Sequence, residues 1–343
     1  KLLQESYLGK VKMIYIDPPY NTGNDFVYRD NFTRDKDEYD EEAGVYDEDG
    51  DRLIRNTESN GRFHSDWCSM MYPRLVLARN LLSNDGIVFI SIDDNEVTQL
   101  RKICDEVFGE DNFFSQIIIQ SNKRGQTYKQ IAKTHEYLLI YTKQSESEFN
   151  ELEKSGDNDD LNMQDDIGRF NIRELRNRNP KFGKHNRPNL FYSVFVNPKE
   201  VDDDGFMPVS LNRDETFSIE VQPLNSSGQK GCWRWGKEKV LSNSKNNTKV
   251  SGVVAKAKNG GGHNIYEKYR KTTYKPKSIW SETAVITEKG TIELGELGLA
   301  SYFDFPKPIE LLKRAIFIGS NDGDLILDFF SGSSTTAHAV MQL

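Results

Sequence analysis

The sequence predicts an α/β protein, a doubly wound sheet interrupted by one large insert, and three observations point there. Short β-branched apolar runs stop abruptly at loops: Val11 to Ile16 at Asp17-Pro18-Pro19, and Asp324 to Phe330 at Ser331-Gly332-Ser333-Ser334-Thr335-Thr336, as buried strands do. Helical apolar spacing alternates with such runs, which is the pattern of helix-to-strand units in a parallel sheet. Between residues 144 and 275 the chain turns polar, irregular and rich in Asn, Gly and Lys, with no sustained helical period, so a separate unit is expected there.

Taken in order, Val11 to Ile16 is the first strand and leaves the Asp17 carboxylate at a strand's carboxyl end. Residues 30 to 51 are crowded with acids such as Asp35, Glu38 and Asp47 and read as a solvated loop or weak helix without chemistry. From Ser65 to Leu82, Trp67, Met70, Met71, Leu75, Ala78 and Leu81 recur at helical spacing. Asn84-Asp85-Gly86 is expected to end that helix before a strand from Ile87 to Ile92. A helix from about Asn95 to Phe108 leads to two strand-like runs, Phe114 to Gln120 and Glu136 to Tyr141, expected to close the sheet edge as an antiparallel pair. After the insert come an amphipathic helix, Pro308 to Ile318, and a last buried strand, Asp324 to Phe330. The expected organisation is therefore a sheet domain over 1–143 and 276–343, with the insert at 144–275.

Charge and cysteine count narrow the function classes. Against 53 Asp and Glu stand 45 Lys and Arg, a net charge of -8, so affinity for nucleic acid has to come from a local basic surface. Cys68, Cys104 and Cys232 show no short-range pairing, which argues against a disulfide framework or zinc ribbon and fits a reducing cytoplasm. No apolar stretch approaches membrane-spanning length and no basic-plus-apolar leader precedes the first strand. A soluble, unsecreted, cytoplasmic protein is expected. The first residue is not Met, which suggests a fragment.

Asp17-Pro18-Pro19-Tyr20 carries the most chemical information. An exocyclic amine on a base is a poor nucleophile because its lone pair is delocalised into the ring. The Asp17 carboxylate and the Pro18 carbonyl can each accept one amino hydrogen and turn that lone pair toward an electrophile. Pro19 keeps the turn rigid, and Tyr20 offers a flat face to an extruded base. By itself the stretch also reads as a rigid turn after a strand. The second constellation, Asp328 to Thr336, is a strand feeding a small-residue loop that opens a helix, where a cofactor can approach backbone closely. Alone it reads better as a Ser/Thr-capped corner. His64 and His135 read as structural, and Glu96 with Asp93-Asp94 fits a strand end followed by a helix cap better than a metal site. No metal is expected.

With both motifs at strand ends of one chain, the sequence resembles the adenine-N6 DNA methyltransferases of the β order, in which the catalytic motif precedes the cofactor motif. Ile14 to Gly23 resembles the catalytic motif, Phe303 to Ile316 with Pro306-Lys307-Pro308 the helical cofactor motif, and Asp328 to Thr336 the glycine loop. With His64 to Leu77, Gly86 to Asp94 and His135 to Lys143, these resemble the modification subunits of type III restriction-modification systems. The resemblance implies a Rossmann-like methyltransferase fold, S-adenosylmethionine as cofactor, and a catalytic part (1–143), a target-recognition insert (144–275) and a cofactor-binding part (276–343). It implies catalytic roles for Asp17, Pro18, Pro19 and Tyr20, and cofactor contacts from Lys307, Pro308, Asp328, Phe330, Gly332, Ser333 and Thr335. It also implies double-stranded DNA as substrate, a homodimer in the full-length protein, and a restriction subunit with helicase and nuclease functions as partner. Two departures stand out. Ser334 occupies the family's second loop glycine, and serine is expected to fit because that position should not need a positive φ. The chain also stops at Leu343, where the family continues into two more strands. An incomplete cofactor site and an exposed last-strand edge are expected from that.

For DNA, residues 171–187 gather Arg173, Arg176, Arg178, Lys181, Lys184, His185 and Arg187 around Phe170 and Phe182. The stretch reads as a phosphate-contacting face. A second basic stretch, Lys230 to Lys275, interleaves lysines with Trp233, Trp235 and Tyr266; residue by residue it reads better as a solvated surface over core aromatics, while the insert as a whole reads as the recognition surface. Lys123 and Arg124 fall where the family's loop closes on the flipped base. Two alternatives stay open: cytosine-N4 methylation, whose family more often has Ser at the Asp17 position, and a DNA-binding or assembly fragment without activity.

Overall fold

Strands apolar on both faces build the sheet of the first unit. The computed structural model describes residues 2–23, 26–27, 54–55, 61–125, 130–144, 147–154, 159–225, 227–299, 303 and 305–343; the acidic stretch 30–51 lies outside them. Among the described residues a six-stranded sheet contains β1 (Val11–Ile16), β2 (Leu82–Ile92), β3 (Phe113–Ile119), β4 (Glu136–Thr142), β5 (Ile279–Trp280) and β6 (Ile326–Leu327), in spatial order β5-β3-β4-β2-β1-β6. β1 is parallel to β2 and β6, and β5 to β3, while β4 is antiparallel to β2 and β3. The longer helices of this unit are α1 (Phe63–Leu81), α2 (Val97–Phe108), α3 (Thr287–Glu296), α4 (Ile309–Gly319) and α5 (Thr335–Gln342).

Alternation along β1 sorts side chains between two cores. Ile14 and Ile16 bury with Trp67, Met71 and Leu75 of α1 and Leu100 and Phe108 of α2. Met13 and Tyr15 bury with Leu311, Leu312 and Ala315 of α4 and Ala339 of α5. Helices therefore cover both faces, the doubly wound α/β architecture the sequence predicts.

Three local expectations change. α1 ends where Leu82 turns extended (ψ 139°) directly into β2, so Gly86 is no helix cap; it lies within β2, where a Cβ would meet the Ser83 carbonyl oxygen at 2.8 Å. The β3–β4 pair is antiparallel but does not end the sheet, because Ile118 and Gln120 donate their N–H groups to the carbonyls of Ser278 and Trp280, adding β5 outside β3. The last strand is only Ile326–Leu327, with Leu325 before it accepting from the N–H groups of Lys12 and Met13; Asp328, beyond it, holds the loop that follows.

The chain divides into two compact units, Lys1–Leu152 with Lys275–Leu343, and Glu153–Tyr274. Residues 147–152 join the first because Phe149 stacks on Phe114 at 3.9 Å and the Asn150 amide donates to the carbonyls of Phe317 and Ser320. The second unit is mostly antiparallel β. Its five-stranded sheet runs Phe206–Met207, Val253–Ala257, His263–Tyr269, Arg169–Glu174, Met163–Gln164, and its three-stranded sheet Val209–Ser210, Val194–Val196, Ile219–Val221. Trp233 anchors a core with Val194, Val196, Val253 and Ile265, its indole N–H donating to the Tyr192 carbonyl at 2.7 Å.

A buried ion cluster ties that unit together. Asp165 accepts from Lys268 at 2.7 Å and Arg270 at 2.6 Å, and the Lys268 side chain is 1% exposed. Asp165→Ala strands that ammonium, and a loss of about 3–5 kcal/mol in urea unfolding is expected; an unchanged midpoint and slope would contradict the assignment. No helix among the described residues is long and apolar enough to cross a membrane.

Candidate active site

β1 ends one residue before Asp17, at the carboxyl edge of the sheet where ligands of such folds bind. The turn that follows is clamped from α1: fully buried Trp67 donates its indole N–H to the Pro19 carbonyl at 2.7 Å. Asn21 completes the turn with a left-handed φ of 59°, a conformation asparagine tolerates better than most residues. Its amide donates to Glu96 Oε1 at 2.5 Å, and His64 Nδ1 lies 2.6 Å from the same oxygen. Glu96 therefore does not cap α2, although it stands at the N-cap position. Its carboxylate is turned inward and makes no capping bond, while Asp93 Oδ1 accepts from the Asn95 N–H instead.

Three polar side chains, those of Lys307, Tyr20 and Glu136, meet beside Asp17. Lys307 donates to the Tyr20 hydroxyl at 2.6 Å and to Glu136 Oε2 at 2.9 Å, and Tyr20 donates to Glu136 Oε2 at 3.0 Å. Lys307 Nζ also stands 3.4 Å from Asp17 Oδ1, yet that buried oxygen has no hydrogen-bond partner. Burial raises the Asp17 carboxyl most, Lys307 opposes it and Glu136 reinforces it, leaving it at about 6. Burial alone would lower the Lys307 ammonium, but Asp17 and Glu136 together raise it, so it stays charged. An ionisable carboxylate with an unsatisfied oxygen, held next to an aromatic ring, is equipped to accept a proton or an N–H from a substrate.

The glycine loop lies on the same sheet edge. Asp328 accepts from the Phe330 N–H at 2.9 Å and from the Thr336 hydroxyl at 2.6 Å, which folds the loop back on itself. Gly332 has φ +47°, and a Cβ there would meet Phe303 at 3.0 Å. Ser334 is left-handed as well, with φ 58° and ψ 28°. The expectation that its position needs no positive φ is thus corrected: its N–H closes a 2.6 Å bond to the Ser331 carbonyl, and this turn holds even a serine in αL.

A cleft of about 340 Å3 opens here, lined among others by Gly290, Leu294, Lys307, Ser333, Thr335 and His338, in the size range of small-molecule sites. Of the expected cofactor residues, Lys307, Ser333 and Thr335 line it; Asp328, Phe330, Gly332 and Pro308 do not, and Pro308 is the N-cap of α4. Glu293 was not foreseen; it accepts the first free N–H of α4, from Ile309, at 2.8 Å. Glu136 was also missed, although a lone acid heading an apolar strand is a signal, because buried charges are rare unless paired.

The expected DNA contacts divide. Arg176 and Arg178 both turn onto Glu174, at 2.9 and 2.6 Å. Arg173 lies 3.6 Å from Glu267 and over the Tyr269 ring at 4.0 Å. Lys181 and Arg187 make no ion pair among the described residues, and Arg187 lies over Phe182 at 5.2 Å. In the first unit Lys123 donates to the Thr283 hydroxyl at 2.5 Å, and Arg124 is exposed.

A doubly wound sheet with a carboxylate-proline turn and a glycine loop at one carboxyl edge defines a class of α/β proteins that bind a small cofactor beside a polar substrate site. A family model described as DNA methylase matches residues 11–343. The EcoPI Mod subunit of a type III restriction-modification enzyme, from Escherichia phage P1, is 37% identical over all of this chain and 53% of its own length. The type II methyltransferase M.KpnI of Klebsiella pneumoniae is 32% identical over 97% of this chain and 72% of its own. The EcoP15I Mod subunit of Escherichia coli is 30% identical over all of this chain and 54% of its own. The chain belongs to the DNA methylase family. It spans about half the length of the type III Mod subunits it matches.

Proposed function

We propose that this chain carries the catalytic site of a DNA adenine-N6 methyltransferase that uses S-adenosylmethionine and serves as the modification part of a type III restriction-modification system. The observation that carries this reading is Asp17, a partly buried carboxylate with one buried, unpartnered oxygen on a proline-stiffened turn beside Tyr20. The type III Mod relatives support the biological setting, and with it the expected partners: double-stranded DNA, a second copy of the protein and a restriction subunit, in the cytoplasm of a prokaryote.

The cleft fits a cofactor of this kind, because Ser333, Ser334 and Thr335 of the loop offer polar groups at its edge while Leu294, Leu297, Leu299, Ile309 and Met341 make its walls largely apolar. S-adenosylmethionine, when bound, supplies an electrophilic methyl on a sulfonium. Asp17 accepts one hydrogen of the adenine amine and the Pro18 carbonyl the other, which localises the nitrogen lone pair. Tyr20 offers a ring face to the base, the Lys307 ammonium lying 4.8 Å from the ring centroid. The product ammonium releases its proton to water, so His64 has no proton-transfer role. In the second unit, Lys181 and Arg187 supply phosphate contacts.

Ionised Asp17 accepts the amino hydrogen much more strongly than the neutral acid does. Because its carboxyl is raised to about 6, kcat/KM is expected to fall about tenfold for each pH unit below that value; a profile flat down to about pH 5 would contradict the role. The function itself is tested by producing the protein in a host without adenine methylation and analysing the genomic nucleosides. N6-methyladenine is expected, N4-methylcytosine would overturn the base assignment, and unmodified DNA would overturn the activity.

A further inference from the structure

We propose that Lys307 is a positioning residue for methyl transfer: its ammonium, anchored on Glu136 and Tyr20, keeps Asp17 ionised and in place without using the hydrogen-bonding capacity that the amine needs. The inference rests on reading Asp17 as the acceptor of that amine. It departs from the expectation that Lys307 is simply a cofactor contact.

The geometry separates two jobs. The hydrogen bonds of the lysine go to Glu136 Oε2 at 2.9 Å and to the Tyr20 hydroxyl at 2.6 Å. Asp17 Oδ1 stands at 3.4 Å, within reach of the charge but without a hydrogen bond. An ammonium hydrogen-bonded directly to Asp17 would have to be displaced by every incoming amine; this one does not. The lysine is held at its root as well. Pro306 and Pro308 flank it, and the N–H of Ile309 is tied to Glu293 at 2.8 Å.

The charge count makes the lysine necessary. Asp17 is faced by Glu136 from β4, by Lys307 from the segment before α4, and by the phenols of Tyr15 and Tyr20; Asp328, after β6, acts on Tyr15. Lys307 is the cation in this group, and its side chain is only 10% exposed. Without it, Asp17 and Glu136 face each other in a water-poor setting, where one of two neighbouring carboxylates retains a proton.

The test is the pH dependence of kcat/KM for DNA, measured on the full-length protein with wild type, Lys307→Met, Glu136→Gln and the double variant. In Lys307→Met the acid limb is expected to move up by at least one pH unit, about a tenfold loss of rate at a pH below both midpoints, with recovery at alkaline pH. Adding Glu136→Gln is expected to bring the limb back toward wild type, because the second carboxylate is gone. Loss of activity by the same factor at every pH, with no rescue in the double variant, would reduce Lys307 to a structural anchor and overturn the proposal, as would an unmoved limb. Should Lys307→Met not fold, Glu136→Gln alone decides: a limb displaced to lower pH supports the proposal and an unmoved one overturns it. A wild-type protein inactive on DNA at every pH would instead remove the reading of Asp17 itself.

Discussion

Asp17→Ala is expected to lower methyl transfer roughly a hundred- to a thousandfold, the order of effect of removing a preorganised hydrogen-bonding group at the reacting atom. Affinity for S-adenosylmethionine is expected to stay within a few-fold, because Asp17 does not line the cleft beside the glycine loop. Stability should not fall. The Asp17 carboxyl is raised from its ordinary 3.8 to about 6, so between those values the folded state binds the extra proton. Its contribution to stability therefore declines as pH rises through that window, and at neutral pH the ionised side chain is a net cost that alanine removes. Lys307 keeps Glu136 as its partner in the variant. Rate measurements, calorimetric titration of the cofactor and thermal unfolding check the three statements separately. A fall in all three together would show that the variant acts through folding.

Gly290→Ala is expected to have the second-largest effect, although it lies on a helix and touches neither Asp17 nor the turn. A Cβ at Gly290 would sit 2.2 Å from the Pro306 carbonyl oxygen and 2.8 Å from the Lys307 carbonyl carbon. Backbone cannot yield as a side chain can, so α3 and the 306–308 segment must separate, and Lys307 is withdrawn from Glu136 and Asp17. A shift of about an ångström at a reacting centre costs on the order of a hundredfold in rate. Overpacking of this kind costs roughly 1–3 kcal/mol. The sign is diagnostic, since alanine in a helix without that contact would stabilise by about 1 kcal/mol. An alanine variant more stable than wild type and fully active would show that α3 does not press on the Lys307 segment.

What the sequence disclosed and what it hid follow from how local each signal is. The β1 strand, the Asp17-to-Tyr20 turn and the glycine loop depend on a few consecutive residues, and each is found at a strand end as expected. Glu136 and Lys307 could not be joined to Tyr20 in that way, because the bonds span 116 and 287 residues. Trp67 looked like one more apolar position of a helix, yet its indole N–H fixes the Pro19 carbonyl. Glu96 looked like a cap because its number is right, but the buried Asn21 amide and His64 draw its carboxylate inward. Residues 153–274 looked irregular because many of their strands are only two or three residues long, too short for a period of two to emerge among Asn and Gly turns. Arg176 and Arg178 looked available to DNA, whereas Glu174 between them already engages both.

The most direct test supplies S-adenosylmethionine labelled in its methyl group to the purified protein with unmodified genomic DNA, then digests the DNA and separates the nucleosides. Label in N6-methyladenine, and none with Asp17→Ala, is the result this account requires. Label in N4-methylcytosine, or label undiminished in the Asp17 variant, would contradict it.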